Sequence, residues 1–400
     1  MHGGDALARP PQPLAGRRIW FVGIGGAGLS AYAFLARAWG AEVGGWDRAD
    51  TPYLRGLDGV PVEIAAEPVV PKGWEVVVST AYAGLVEGRP RAEFLAELVS
   101  LAPSIVVAGA HGKTTTSGMI AFVLAELGRD PSWLVGGELP QLGRNAGAGS
   151  GWLVVEGDES DRTVELLRPR IAVVTNVELD HHSTFASVAE VQELFDAWLE
   201  HVPDVVRGEE LEPVSFELAV PGEHNRRNAA AALAALELAD VLRDEAEPVL
   251  ARFLGAGRRF EVVGEARGVT VIDDYAHHPA EVAATIAAAR ELDGARRVVV
   301  LFQPHLYSRT RHLAHEFGHA LSAADAVCVT DVYPAREQPV PGVTGKLVVN
   351  ALRPGLRAGW APDLDAAVTI LRGWVRSGDL VLTLGAGDVD RAGRALLESL

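Results

Sequence analysis

Residues 104–116 restrict the fold of this chain more than any other segment. An apolar run, SIVVA, is followed by Gly109 and Gly112, then by Lys113 and three threonines. This order predicts a strand, a glycine turn and a helix that ends near Gly128. The N-terminus of such a helix presents free backbone N–H groups and a positive dipole end, so it is suited to an anion.

The residue types in this turn are typical of a nucleotide phosphate site. In phosphate-binding loops a lysine reaches the β- and γ-phosphates, and the next hydroxyl binds Mg²⁺. Lys113 and Thr114 stand at those positions, although Val107 replaces the first glycine of the usual pattern. A plain strand–turn–helix is the alternative, but three threonines behind a lysine are poor helix formers. The sequence therefore favours phosphate binding.

The charge composition makes this lysine more informative. The chain has only three lysines, Lys72, Lys113 and Lys346, and its formal net charge is -17. Such a charge predicts no nucleic-acid partner, because counterion release requires a basic surface. Anionic nucleotides must then be bound by local glycine loops, helix ends, arginines and metal ions against an unfavourable overall field.

Length and cysteine content indicate a globular protein of a reducing compartment. The chain has 400 residues, enough for two or three domains, with 48% hydrophobic and 22% charged residues. Its one cysteine, Cys328, excludes an intrachain disulfide. No apolar run approaches the ~20 residues of a transmembrane helix, and the start contains no apolar signal core. We therefore expect a cytoplasmic protein with no membrane partner.

The first segment has the pattern of a doubly wound sheet. Residues 19–22 predict a strand, residues 23–28 a glycine turn and residues 29–39 a helix, and a second strand ends at Asp47. Such glycines permit close approach of a pyrophosphate, and an acidic residue about 20 positions later suits a ribose. The alternative is that the glycines serve only the packing of helix on strand.

Two carboxylate clusters follow strands in the middle of the chain. The predicted strand 152–155 leads into Glu156–Asp161, and the strand 171–175 leads into residues 176–182. Carboxylates at the carboxyl ends of strands beside a phosphate loop are suited to Mg²⁺. Either cluster alone is more simply a solvated loop, whereas two clusters behind one Lys–Thr turn favour a metal site. Residues 222–228 then open an alanine-rich helix, where Asn and His either cap the helix or contact a base and ribose.

The last segment repeats the alternation of strand and helix after a Gly–Ala–Gly linker at residues 255–257. A strand at 270–274 precedes a helix that begins at Pro279, a residue favoured in a first turn. Further strands are predicted at 297–302, 326–330 and 380–384, with helices at 308–321 and 364–375. This alternation predicts a parallel sheet covered by helices.

Taken in order, these motifs closely resemble those of the Mur ligase family over residues 23–387. The matching segments are Gly23–Gly28, His111–Thr116, Glu156–Asp161, Thr175–His181, His224–Asn225, Arg258–Phe260, Asp273–Pro279, Gln303–His305 and Asp331–Tyr333. The resemblance implies an α/β fold of three domains. These are a Rossmann-like UDP-sugar-binding domain (1–102), a shortened P-loop ATPase-like central domain that binds ATP (103–256), and a Rossmann-like domain that binds the amino acid (257–400).

The resemblance also implies the reaction. ATP and Mg²⁺ would activate the carboxylate of UDP-N-acetylmuramate as an acyl phosphate, and L-alanine would attack it, in the synthesis of peptidoglycan precursors. Chemistry of this type depends on positioning and charge neutralisation. The resemblance leaves a monomer or a homodimer as the expected assembly.

The site residues that the resemblance implies fall into three groups. The catalytic and metal-binding residues are Lys113, Thr114, Glu156 and His181, with His181 at a second metal. The residues expected at ATP are Gly109, Gly112, Lys113, Thr114, Thr115, His224, Asn225, Asn228 and Arg259. The residues expected at the UDP-sugar or the amino acid are Gly23, Gly25, Gly26, Gly28, Ser30, Asp47, Ser79, Tyr275, His277 and Arg309.

The chain departs from the family pattern at four points. The interval 182–222 is short, and the relatives have extra strands of the central domain there. Leu306 occupies the place of an arginine, so one anion contact is missing or supplied elsewhere, and Ala276 occupies the place of a glycine. No lysine lies between Lys113 and Lys346, which removes the carbamoylated lysine that some Mur ligases use for a second metal.

Three other interpretations remain open. A ligase that recycles a murein tripeptide onto the same UDP-sugar shares these motifs, but residues 303–305 and 331–333 agree better with an alanine-adding enzyme. A degenerate nucleotide-binding protein is suggested by the short middle and by Leu306, and opposed by Lys113 together with Glu156. A nicotinamide dehydrogenase leaves the lysine turn unexplained. ATP-dependent phosphate release with UDP-N-acetylmuramate and alanine separates an active ligase from a degenerate protein.

Overall fold

The structure is a computed structural model that describes residues 11–179, 184–292, 296–335 and 337–400. Its described residues form two compact units. The first unit comprises the chain up to Glu178 with Ala189–Glu212 and Asn228–Phe253, and the second comprises Leu179–Val188, Pro213–Arg227 and Leu254–Leu400. The first unit contains two sheets and the second contains one. The boundaries 1–102, 103–256 and 257–400 stay a prediction.

The amino-terminal sheet has five parallel strands in the order β3-β2-β1-β4-β5. Its elements are β1 (Arg18–Val22), α1 (Ala27–Ala38), β2 (Glu42–Asp47), β3 (Val62–Ile64), β4 (Glu75–Val78), β5 (Arg89–Pro90) and α2 (Arg91–Ser100), with short 3₁₀ helices at Pro52–Gly56 and Thr80–Tyr82. The strand order reverses between β1 and β4, and ligands of open α/β sheets bind at such a point.

The central sheet has six strands in the order β11-β10-β6-β9-β7-β8. Its elements are β6 (Ser104–Ala108), α3 (Lys113–Glu126), β7 (Ser132–Leu139), β8 (Arg144–Gly147), β9 (Leu153–Glu156), β10 (Ile171–Val174), α4 (Val188–Leu199), β11 (Asp204–Arg207), α5 (Glu223–Leu238) and α6 (Arg243–Leu250), with 3₁₀ helices at Thr163–Leu166 and Gly208–Glu210. Strand β6 is fully buried and lies between β9 and β10. Their parallel register brings the loops after all three strands to one edge.

The third sheet has six strands in the order β12-β13-β17-β14-β15-β16. Its elements are β12 (Glu261–Ala266), β13 (Val269–Asp274), α7 (Pro279–Leu292), β14 (Val298–Phe302), α8 (Tyr307–Leu321), β15 (Ala326–Val329), α9 (Lys346–Asn350), β16 (Arg357–Trp360), α10 (Leu364–Arg372), β17 (Leu380–Leu384) and α11 (Asp390–Ser399). Strands β14 and β17 are buried along their whole length because helices pack on both faces of the sheet.

The structure corrects the sequence prediction for the last segment. That segment is predicted as a parallel sheet, but its edge strand β12 pairs antiparallel with β13. The central sheet also has an antiparallel edge strand, β8 on β7. The turn between β12 and β13 is Arg267–Gly268, and both residues have positive φ, as a tight hairpin requires. Helix α5 ends at Leu238, because Asp240 adopts a left-handed conformation and α6 begins soon after.

None of the helices in the described part of the chain is long and apolar enough to cross a membrane.

Candidate active site

The turn between β6 and α3, here called the phosphate loop (residues 109–112), requires glycine at two positions. Gly109 has φ +129° and Gly112 has φ +79°, a region that disfavours residues with a Cβ. A Cβ on Gly109 would lie 2.3 Å from Thr175 Oγ1, and one on Gly112 would lie 2.4 Å from Asn228 Oδ1. The backbone thus turns where no side chain fits, and α3 begins directly with Lys113.

The end of β10 holds the phosphate loop in place. Asn176 Nδ2 donates to the carbonyl oxygen of His111 at 2.9 Å, and Asn176 Oδ1 accepts from the N–H of His111 at 2.9 Å. The hydroxyl of Thr175 donates to the same carbonyl at 2.6 Å. These bonds fix the peptide of the loop before any ligand binds, as a preorganised site requires.

Lys113 is held by the carboxylate of Glu159. Its Nζ lies 3.1 Å from both Glu159 oxygens and 2.5 Å from the carbonyl oxygen of Gly109. Burial favours the neutral amine, but the carboxylates of Glu159, Asp158 and Glu156 outweigh it and raise the pKa of Lys113. The lysine is therefore a cation at neutral pH, placed at the start of α3 beside the phosphate loop.

Glu156, at the end of β9, meets the first turn of α3. Its Oε2 accepts from the Thr114 hydroxyl at 3.1 Å, and its Oε1 accepts from the N–H of Gly136 at 2.5 Å. Octahedral Mg²⁺ with oxygen ligands at 2.0–2.1 Å places neighbouring ligands about 2.9 Å apart. The hydroxyl and carboxylate of Thr114 and Glu156 thus have both the chemistry and the separation of two Mg²⁺ ligands.

Three other predicted residues of the nucleotide site have different placements. Thr115 is buried in the first turn of α3. Asn228 packs its side-chain oxygen against Gly112, so it supports the phosphate loop, and a contact with a ribose stays a prediction. His181, predicted at a second metal, lies outside the described residues.

A second glycine turn (residues 23–28), here called the glycine turn, joins β1 to α1. Asp47 at the end of β2 accepts from the N–H of Gly25 at 2.7 Å and from the N–H of Arg48 at 2.7 Å. A Cβ on Gly25 would lie 2.9 Å from the Asp47 carboxylate. Asp47 therefore braces the turn in this structure, while its predicted contact with a ribose stays a prediction.

The end of β4 closes the other side of the glycine turn. A Cβ on Gly23 would lie 2.8 Å from both Ser79 Cβ and the Tyr82 ring. Gly26 is the N-cap of α1 in an extended conformation, and Gly28 lies in its first turn. Ser30 is buried and donates to the carbonyl oxygen of Ala27 within the helix at 3.1 Å. The glycines and Ser79 thus lie together, whereas the Ser30 hydroxyl bonds within its own helix.

In the second unit, Arg258 holds the carboxyl edge of the third sheet together. Its guanidinium donates to Asp273 at 2.9 Å and to the carbonyl oxygens of Gly385 and Gly387 at 2.8 Å each. These partners follow or end β13 and β17, two adjacent strands. Arg258 has φ +57°, so the backbone is strained at the point from which it reaches them.

The next residues of this edge surround one tyrosine. The Arg258 and Arg259 guanidinium carbons lie 5.2 and 5.1 Å from the Tyr275 ring centroid. Glu281, in the first turn of α7, accepts from the N–H of His277 at 2.9 Å and lies 3.4 Å from Arg259. The predicted residues Arg259, Tyr275 and His277 are therefore neighbours, organised by a glutamate that the sequence analysis did not single out.

Asp274 lies beneath these groups. Burial raises its pKa to about 6, against the opposing effect of Arg259 and with a further contribution from Glu281. Its two oxygens accept from the N–H groups of Phe260 and Ala276 at 2.8 Å each. The carboxyl group thus shapes the backbone at the end of β13 at the cost of a buried charge at neutral pH.

Arg309 completes this edge from α8. It is almost fully buried, and its NH1 lies 3.4 Å from His305 Nδ1. The His305 ring packs edge-on to His277 at 6.0 Å and stacks on Tyr333 at 5.8 Å. Between His305 and α8, Leu306 has φ +70°, which is rare for a leucine. The predicted residues His277 and Arg309 are thus joined through His305.

His224 and Asn225 shape the start of α5. Burial lowers the pKa of His224 to about 4, so its imidazole is neutral at pH 7. A Cβ on Gly222 would lie 2.7 Å from the His224 ring. Asn225 Nδ2 donates to the carbonyl oxygen of Pro221 at 2.7 Å. Both residues organise this turn, and their predicted contacts with a base and ribose stay predictions.

Comparison with known proteins identifies the family. The Mur ligase middle domain matches residues 107–205, and the Mur ligase glutamate ligase domain matches residues 258–387. A UDP-N-acetylmuramate–L-alanine ligase from Streptomyces coelicolor is 39% identical, covering 98% of this chain and 99% of its own. One from Kineococcus radiotolerans is 41% identical over 96% of each chain. The chain belongs to the Mur ligase family.

Solved structures agree with this assignment. A UDP-N-acetylmuramate-alanine ligase from Thermotoga maritima superposes with a TM-score of 0.78 at 26% identity, covering 96% of this chain and 98% of that one. A murein peptide ligase from Psychrobacter arcticus, at 22% identity and a TM-score of 0.65, shares the fold. The predicted Mur ligase α/β fold of three domains, with Rossmann-like, P-loop ATPase-like and Rossmann-like parts, is confirmed.

This Mur ligase is shorter than its relative from Streptomyces coelicolor. The alignment extends over 462 residues although this chain has 400, so the relative contains residues without a counterpart here. The interval between α4 and α5 contains only the short strand β11 and one 3₁₀ turn. That this interval is where the central domain lost its extra strands stays a prediction.

Sequence reasoning missed three residues that organise these sites. Glu159 stands inside the predicted carboxylate cluster, and only the structure distinguishes it from its neighbours as the partner of Lys113. Glu281 is the third residue of α7, a position typical of a capping glutamate. The signal that identifies it was therefore present in the sequence. Arg258 precedes the predicted Arg259, and nothing in its local sequence separates the two roles.

Proposed function

We propose that this protein joins L-alanine to UDP-N-acetylmuramate at the expense of ATP, through an acyl phosphate. The observation that carries the proposal is the arrangement of Lys113 and Thr114 against Glu159 and Glu156 at distances of 3.1 Å. It occurs in a chain that is 39% and 41% identical, almost end to end, to two enzymes named for this reaction. This near end-to-end identity to two enzymes favours an active ligase over a degenerate nucleotide-binding protein.

The residues of the first unit have distinct roles in this proposal. Lys113 is a permanent cation that turns from Glu159 toward the β- and γ-phosphates of ATP. Thr114 and Glu156 hold Mg²⁺, which neutralises phosphate charge when it is bound. The phosphate loop donates backbone N–H groups to the same anion. These groups stabilise the charge that develops on phosphoryl transfer to the substrate carboxylate.

The remaining predicted residues are assigned to the other substrates. The glycine turn with Ser79 and Asp47 takes the UDP-sugar. Tyr275, His277 and Arg309 take carboxylates of the muramoyl group or of alanine, as cationic and aromatic groups at the edge of the third sheet suit anions. The amine of alanine attacks the acyl carbon, and inorganic phosphate leaves from the tetrahedral intermediate. A cytoplasmic location and a monomeric or homodimeric state complete the proposal.

The test is phosphate release by the purified protein with ATP, Mg²⁺, UDP-N-acetylmuramate and L-alanine, with the product identified by mass. We expect release only when all four are present, and a product heavier than the UDP-sugar by one alanyl group. Replacing alanine with L-alanyl-γ-D-glutamyl-meso-diaminopimelate tests the tripeptide-recycling ligase. Release with the tripeptide and none with alanine would establish that alternative, and no release with either would establish a degenerate protein.

A further inference from the structure

Arg91 lies where the amino-terminal sheet meets the loop at the end of β9. It is the first residue of α2, and its side chain is only 27% exposed. Its NH2 donates to Asp161 Oδ2 at 3.1 Å and lies 3.8 Å from Asp158 Oδ2. Both aspartates belong to Glu156–Asp161, here called the acidic loop. The guanidinium therefore ties α2 to the acidic loop within the first unit.

The same guanidinium also faces the glycine turn. Its NH1 lies 3.3 Å from the place that a Cβ on Gly28 would occupy. Its Nε is buried and has no hydrogen-bond partner among the residues that the structure describes. Gly28 lies in the first turn of α1, where backbone N–H groups favour an anion. Arg91 thus has one face on the acidic loop and another toward the glycine turn.

The acidic loop connects the residues that Arg91 contacts with those that meet the start of α3. Asp161 also accepts from the N–H and the hydroxyl of Thr163, and Asp158 accepts from the N–H of Ser160 at 2.9 Å. The loop is therefore internally tied. It contains both Glu159, which holds Lys113, and Glu156, which meets the first turn of α3. These two carboxylates thus belong to the same loop as the aspartates that Arg91 contacts.

We propose that Arg91 is a positioning residue that couples the UDP-sugar site to the ATP site. A diphosphate bound at the glycine turn accepts a hydrogen bond from the guanidinium while NH2 keeps Asp161. The bound anion then restricts Arg91, and Arg91 restricts the acidic loop to the position that the metal–nucleotide complex requires. Each ligand binds more tightly when the other is present, by the same factor in either order. The inference rests on the proposed function, because it takes the UDP-sugar as the anion at the glycine turn.

The test measures this factor directly. The dissociation constant of a non-hydrolysable ATP analogue with Mg²⁺ is determined by calorimetry, with and without saturating UDP-N-acetylmuramate. In the wild-type protein we expect the UDP-sugar to tighten the analogue at least about fivefold. In Arg91→Leu we expect a factor near one, with the analogue alone still binding. Arg91→Lys keeps the charge but lacks the fork that contacts two groups, so its factor should be intermediate.

Arg89→Leu is the matched control. Arg89 lies two residues before Arg91, in strand β5, and pairs with Glu97 of α2 at 2.5 Å. The Arg89→Leu variant loses the same charge and side-chain volume as Arg91→Leu, but Arg89 does not contact the acidic loop. The coupling factor of this variant should therefore equal that of the wild type. If Arg89→Leu lost the coupling to the same degree, general loosening of the sheet would explain the effect and the inference would be wrong.

The remaining outcomes separate this inference from the proposed function. A wild-type factor preserved in Arg91→Leu would overturn the coupling role and leave the proposed function intact. A wild-type protein that binds neither ligand would overturn the proposed function and, with it, this inference. Should Arg91→Leu fail to fold, Arg91→Lys decides the matter, because an undiminished factor in that variant contradicts a role for the guanidinium fork.

Discussion

The carboxyl edges of the central and third sheets are built in different ways. In the phosphate loop of the central edge, the positive φ angles fall on glycines, Gly109 and Gly112, and side-chain bonds from Asn176 hold the backbone. At the third edge, residues with side chains take positive φ, among them Arg258 and Leu306. The phosphate loop avoids backbone strain because glycines occupy its positive-φ positions, whereas the third edge retains strain at residues with side chains.

The two edges also differ in how their buried carboxylates are compensated. At the central edge, Glu159 is matched by Lys113 and Glu156 by hydroxyl and N–H donors. At the third edge, burial raises the pKa of both Asp273 and Asp274. The comparison indicates that the central edge is electrostatically satisfied before ligands arrive, whereas the third edge stores both strain and the cost of a buried acid. The following predictions test that difference.

The largest effect should come from Lys113→Met. Loss of the cation at the phosphate loop should lower kcat by at least about a hundredfold, the usual magnitude for a preorganised charge-stabilising group. The same change leaves Glu159, whose side chain is 4% exposed, without its lysine, and should lower stability by about 3 kcal/mol. Phosphate release and urea unfolding measure the two effects.

The double variant Lys113→Met with Glu159→Gln separates activity from stability. Removing the buried carboxylate should restore most of the lost stability, while kcat stays low. If the double variant recovered activity, the role of Lys113 at the phosphates would be wrong. If Lys113→Met cost no stability, the central edge would not be a matched pair, and the comparison of the two edges would fail.

Glu156→Gln should have the next largest effect. The amide keeps the shape and the contact with Gly136 but removes the charge that favours Mg²⁺. We expect the Mg²⁺ concentration for half-maximal activity to rise at least about tenfold, with partial recovery at high Mg²⁺. Titration of activity with Mg²⁺ checks this. Unchanged Mg²⁺ dependence would remove Glu156 from the metal site.

At the third edge, Asp274→Asn should change the dependence of stability on pH. Because the folded pKa is raised to about 6, the stability that Asp274 contributes is fully present below about pH 3.9 and is lost as the pH rises through about 6. Relative to the variant, the wild type should lose about 2 kcal/mol between pH 4 and pH 7. Urea unfolding of both proteins at several pH values measures the difference.

The lowered pKa of His224 has the opposite sign and does not disturb this test. Its contribution is present above about pH 6.5 and is lost as the pH falls through about 4. His224 occurs in both proteins, so its effect cancels in the difference. A difference that does not vary with pH would show that Asp274 is not a buried acid of raised pKa.

The smallest effect should come from Leu306→Gly. Glycine adopts φ +70° without a Cβ clash. The Leu306→Gly variant should therefore have a free energy of unfolding about 1 kcal/mol higher than that of Leu306→Ala. The alanine variant is the control, because it also loses the leucine side chain but keeps the strain. Thermal unfolding of both checks this prediction. Equal melting temperatures would mean that the third edge stores no strain at this residue.

Much of both edges could be predicted from local patterns. The apolar runs of β1, β6, β10 and β17 predict buried parallel strands, and the Lys113–Thr114 pair predicts the helix start and its chemistry. The weakly apolar strands β8 and β12 escaped prediction, because antiparallel edge strands bury little surface and have no strong local pattern. His181 lies outside the described residues, so its role at a second metal stays a prediction.

The sequence by itself determined the main buried strands, the glycine positions and the residue types of the phosphate loop, because these depend on spacing along the chain. Only the tertiary structure decided which of several equivalent carboxylates holds Lys113, and which of two adjacent arginines clamps the third edge. The first pairing, of Lys113 with Glu159, joins residues 46 positions apart. The second, of Arg258 with Gly385, joins residues 127 positions apart. They depend on register between strands and on burial, and a local pattern contains neither.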